Sequence, residues 1–154
     1  MLEKMVETRE EVFFNYARQC LSFLKGNARV PEAVYEQLVR HREEGTVPAW
    51  DLIEKAFINA IPEYWKFVRA NKLDEYSPDS VRRFWLEHHN TYANKECHVF
   101  VGLVESISDD GNGSPVYTVK CPGFCRKFSG KWFRDAKFGD RISVHLGFAS
   151  EKLK

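Results

Sequence analysis

No run of about eighteen apolar residues occurs in this sequence, so a membrane-spanning helix is not expected. Nor does the chain carry a large charge of either sign. Its 23 Lys and Arg against 22 Asp and Glu leave a formal net charge of +1, which gives no bulk electrostatic reason to expect nucleic acid. The opening stretch MLEKMVETREEVFF is charged where a secretory signal needs an apolar segment, and a cytoplasmic chain is expected. The four cysteines, Cys20, Cys97, Cys121 and Cys125, are then read as thiols before disulfides. Internal repeats and low-complexity tracts are missing. So are a glycine-rich phosphate loop, a G-x-S-x-G elbow and an H-E-x-x-H pair, and a non-catalytic protein is expected.

What the sequence does contain is core-forming material. Its 154 residues are 44% hydrophobic and 14% aromatic, enough for one ordinary domain or two small ones. Two textures divide it, and the expected fold class is α+β with two domains: a helical domain over 1–94 and a small OB-like β-barrel over 95–154. Charge divides as well. Split at position 96, 14 basic and 16 acidic residues give −2 before the split, and 9 and 6 give +3 after it.

In the first part, Val12, Phe13, Tyr16, Ala17, Cys20, Phe23 and Leu24 recur at helical spacing, predicting a helix over 3–25 that stops at Gly26. Pro31 opens a second helix that turns Val34, Tyr35, Leu38 and Val39 inward and ends before Gly45. A third opens at Pro48. Its stripe of Trp50, Ile53, Phe57, Ala60 and Ile61 runs past Pro62 to Trp65 and Val68, which predicts a kink near Pro62. Ser77 and Pro78 then supply a cap and first turn for a helix presenting Val81, Phe84, Trp85 and His88.

After about Asn94 come short segments rich in β-branched and aromatic residues, CHVFVGLVESI, PVYTVKC, KFSGKWF and DRISVHLGF, separated by turn residues such as DDGNGSP and KFGD. Four or five such strands usually close into an OB- or SH3-type barrel, because a small open sheet leaves bare edges. On the last strand, alternation places Ile142, Val144 and Leu146 inward and Ser143 and His145 outward, just before a Gly-Phe-Ala turn.

The stretch FGDRISVHLGFASEKL carries Gly139, Asp140, Ile142, Val144, His145, Leu146, Gly147, Phe148, Ala149, Lys152 and Leu153. This resembles the closing pattern GD-x-V-x-V-H-V-G-F-A-x-x-K-L of the HypC/HupF-type hydrogenase-assembly chaperones. Cys97, followed by Val99, Phe100, Gly102, Val104 and Ile107, is similar to that family's opening, with Val101 where the family has proline. The resemblance covers residues 97–154. It implies a carrier of an iron fragment bearing cyanide and carbon monoxide, held transiently. The implied partners are an assembly scaffold protein and a hydrogenase large subunit, and the implied metal-binding residues are Cys97 and His145.

A soft thiolate beside a borderline imidazole suits iron that already holds strong-field ligands, and an incomplete protein shell suits cargo that must be released. Such a Cys97 should be partly exposed, with a lowered pKa. His88, His89 and His98 are candidate supporting residues. Cys121 and Cys125 are spaced C-x3-C, which departs from the usual zinc pair, so a structural zinc is not expected. A second reading stays open. Phe124, Arg126, Lys127, Phe128, Lys131 and Trp132 interleave rings with cations, as a face for single-stranded nucleic acid would.

Overall fold

The computed structural model describes residues 6–154. It is a mixed α/β structure of helices followed by a closed five-stranded barrel, and the chain divides into two compact units, Met1–His89 and Asn90–Lys154.

Helix α1, Arg9–Ala17, starts where the Thr8 side chain accepts the Glu11 N–H at 3.1 Å. Residues 3–5 of the expected helix lie outside the described residues. Beyond Ala17 the α-helix tightens into a 3-10 segment, Arg18–Phe23. At three residues per turn the apolar stripe rotates, so Leu21 is buried while Phe23, expected inside, is 57% exposed. Helix α2, Glu32–Glu44, follows Pro31, buries Val34 and Leu38, and ends on Gly45 at φ 72°, whose N–H returns to the His41 carbonyl.

The third helix is broken rather than kinked. Helix α3, Trp50–Ala56, stops ahead of Pro62, and α4, Ala60–Ala70, restarts so that Pro62 falls in its first turn. There proline's missing N–H costs nothing, whereas in an unbroken helix it would delete a bond and clash with the preceding turn. Pro78 begins α5, Pro78–Arg83, which widens into a π-helical turn, Phe84–His88, before α6, His89–Tyr92. The wider turn lets adjacent residues share the interior, and Phe84, Trp85 and His89 are all buried. Trp85 meets Phe13, Tyr16, Phe84 and His89 with ring centroids 4.6–5.6 Å apart.

The barrel strands are β1 Val99–Asp109, β2 Pro115–Cys121, β3 Phe124–Ser129, β4 Arg141–His145 and β5 Phe148–Lys152. Their order is β1-β2-β3-β5-β4, closed by β4 on β1. Strand β1 serves two partners. Val99–Leu103 pair with β4 and Leu103–Asp109 with β2, with a register shift between Val104 and Ser106. Gly102 sits at the corner, where a Cβ would come within 2.5 Å of the Lys120 carbonyl oxygen. Val104, Tyr117, Val119, Cys121, Phe128, Ile142, Val144 and Ala149 fill the interior.

Three details of the strand reading are corrected. The third strand lies at 124–129, earlier than KFSGKWF. The last turn is Leu146–Gly147, both at positive φ in the manner of a two-residue hairpin, so Leu146 is a turn residue and Phe148 begins β5. Ser143 and His145, expected outside, are buried at 0% and 1% exposure. Alternation fixes which side a residue takes, but not whether that side is covered. Strand β4 is paired along both edges, and the segment leading into β1 borders the cleft at its end.

Candidate functional site

Strand β4 delivers His145 opposite Val99 at the start of β1. The other side of Val99 is held by a side chain: Asn90 donates from Nδ2 to the Val99 carbonyl and accepts the Val99 N–H at Oδ1, both at 2.8 Å. Since that peptide edge is occupied by Asn90, Val99 and His145 form the narrow type of antiparallel pair, with Cα atoms about 4.5 Å apart and side chains close. Two residues upstream, at the end of a single 3-10 turn over Lys95–Cys97, stands Cys97. Chain geometry then keeps the Cα atoms of Cys97 and His145 within about 12 Å.

Beside this pair lies a cleft of about 400 Å³ lined by Lys95, Glu96, His98 and Phe100 from the entry to β1, Arg126 and Phe128 from β3, and Val144 to Gly147 from the β4–β5 hairpin. Cys97 stands between two lining residues without lining the cleft itself. Its thiol is half-buried, and burial followed by the Glu96 carboxylate pushes its pKa up. The expected lowering is therefore not what the protein alone provides: at neutral pH this sulfur is a thiol, and any metal it took would have to displace that proton. His98 lies at the cleft, its Nε2 at 3.2 Å from the Ala93 carbonyl oxygen and its ring 6.3 Å from that of Phe100.

The other two candidate supporting histidines are engaged within the helical unit. His88 pairs with Glu63 at 3.0 Å, an interaction that holds the Glu63 carboxyl below its usual range, and stacks on Phe67 at 5.5 Å. His89 is buried against Trp85 at 4.6 Å. Cys121 belongs to the barrel core, whereas Cys125 is exposed, 3.7 Å from Glu105 across the sheet. Their sulfurs face opposite sides of the sheet. Among the described residues no cluster of three or more His, Cys, Asp or Glu is arranged to hold a metal ion.

The six residues of the nucleic-acid reading do not form one open face. Phe128 is core at 7% exposure, Trp132 packs on Phe148 at 4.4 Å, and Phe124 lies edge-on to Phe100 at 5.0 Å with Arg126 over its ring at 4.6 Å. Lys127 is exposed on the opposite side of β3, and exposed Lys131 lies 5.5 Å from the Trp132 ring. Sequence reasoning missed Asn90. An asparagine at a helix end carries no signal of its own, and only the pairing pattern reveals that it fixes the start of β1.

Comparison with protein-family models, with curated proteins and with solved structures finds no match in any of the three.

Proposed function

We propose that residues 95–154 are an OB-like barrel and that the protein is a hydrogenase-maturation-like chaperone, non-catalytic, which binds an iron fragment and docks to a scaffold or to a hydrogenase large subunit. The OB-like reading is supported by the strand order, by the parallel contact of β3 with β5, and by one long bent strand shared between two partners. The helical part is read as a separate domain.

The observation that supports the functional reading is the Val99–His145 pairing, which brings the backbone of Cys97, two residues before Val99, to the same end of the barrel as His145, a residue that lines the cleft. Two protein ligands leave the remaining positions on iron to the fragment's own ligands and to the partner that receives it, which is what transfer requires. The thiol rides on a single 3-10 turn, an element whose strained hydrogen bonds make re-aiming cheap.

The test is anaerobic isolation of the protein from cells making a nickel-iron hydrogenase. Metal analysis and infrared spectroscopy are expected to find substoichiometric iron with cyanide and carbon monoxide stretches, both lost in Cys97→Ala. Iron-free protein without those bands, isolated alongside an active maturation system, contradicts the reading. The single-stranded nucleic-acid alternative has weaker support, because its central ring, Phe128, is inside the barrel.

A further inference from the structure

Strand β3 is paired with β2 along its whole length, from Val116–Ser129 to Cys121–Phe124. Its other edge is different. Among the described residues it meets β5 only at Ser129–Phe148, where the Ser129 N–H donates to the Gly147 carbonyl at 2.9 Å. The barrel is thus closed by one pair at this seam, and among the described residues no strand lies beside the edge of β3 over 124–128. Cys125, Arg126 and Lys127 are exposed there. The cleft opens directly onto this edge, with Arg126 and Phe128 on one bank and His145, Leu146 and Gly147 on the other. Leu146 holds φ at 52°, a conformation costly for a branched side chain, and so keeps a large apolar group at the mouth of the cleft.

We propose that the outer edge of β3 accepts an extended acidic segment of a partner protein as an added strand, its alternate side chains seated in the adjoining cleft. An unpaired strand edge offers both N–H donors and carbonyl acceptors, a match for another backbone and not for phosphates. The charges select the occupant. Arg126 and Lys127 on the edge, with Lys95 across the cleft, would repel a second copy of β3 but attract carboxylates. Glu96 at the cleft and Glu105 beside Cys125 disfavour a continuous phosphate backbone. An extended peptide, with side chains on alternate faces, can direct its acids to the cations alone. This inference goes beyond the metal reading and stands without it.

The test uses the full chain, isotopically labelled, titrated with a short peptide that alternates glutamate with valine and threonine. Amide shifts are expected at Phe124–Ser129 and at the cleft residues. Binding should vanish when alternate peptide nitrogens are N-methylated, weaken about tenfold in Arg126→Glu, and be unchanged in Cys97→Ala, which separates this proposal from the metal reading. Equal binding of the methylated peptide, tighter binding of an oligothymidylate at the same residues, self-association through β3, or no shifts at millimolar peptide would each overturn it.

Discussion

Trp85→Ala is expected to lower the stability of the helical unit by about 4 kcal/mol, a large share of what a small domain possesses. The indole is 2% exposed and is in contact with four rings, so its removal opens a hole that stiff aromatic neighbours cannot fill by rotamer changes. Urea unfolding followed by far-ultraviolet circular dichroism should show the midpoint fall with little change in slope. Trp85→Phe, which keeps one ring in place, should cost clearly less. Equal costs for the two variants would mean that the cluster collapses around any loss and that its ring contacts have no special weight.

The largest effect in the barrel is expected at Gly102. In Gly102→Ala the new Cβ would meet the Lys120 carbonyl oxygen at 2.5 Å, and the Cys121 sulfur and a Val119 methyl at 2.8 Å. Two of those are side-chain atoms in a packed interior and one is backbone, so strand β1 must move away from β2 at the corner where it changes partners. A cost of about 3 kcal/mol is expected, at the upper end for overpacking by one methyl. Gly111→Ala is the control. It has open space around its Cβ but a φ of 89°, so its cost is conformational only, about 1 kcal/mol. Thermal unfolding should therefore rank Gly102→Ala well below Gly111→Ala; the reverse order would show that the corner yields easily.

These two positions also mark what can and cannot be read from the sequence. The aromatic stripe containing Trp85 and the stop at Gly45 were legible, because helix periodicity and capping are local properties. Pro62 signalled a disturbance, but a kink was expected where the chain breaks: proline is disfavoured inside an unbroken helix, and α3 ends at Ala56 before α4 restarts with Pro62 in its first turn. Phe23 was misjudged because a change from 3.6 to 3.0 residues per turn rotates every later residue, and no local motif announces that change. The barrel and its closure were legible from short β-branched and aromatic runs between turns, whereas the details of its seams were not. The burial of His145, the double hydrogen bond from Asn90 and the single-pair seam between β3 and β5 all depend on which strands become neighbours, a property of register that a lone strand does not encode. Cys97 and His145 were selected by resemblance. Their placement at one end of the barrel follows from the β1–β4 register.

The central claim, that the sulfur of Cys97 and the imidazole of His145 share one metal, is tested most directly by anaerobic cobalt(II) titration, watching for a thiolate-to-metal charge-transfer band. The band is expected in the unmodified protein and absent from both Cys97→Ala and His145→Ala. Because burial and Glu96 raise the thiol pKa, each metal bound must release that proton, so apparent affinity should climb about tenfold per pH unit from neutral pH toward the thiol's own range. A band that survives the loss of either residue, or binding indifferent to pH across that interval, would contradict the account.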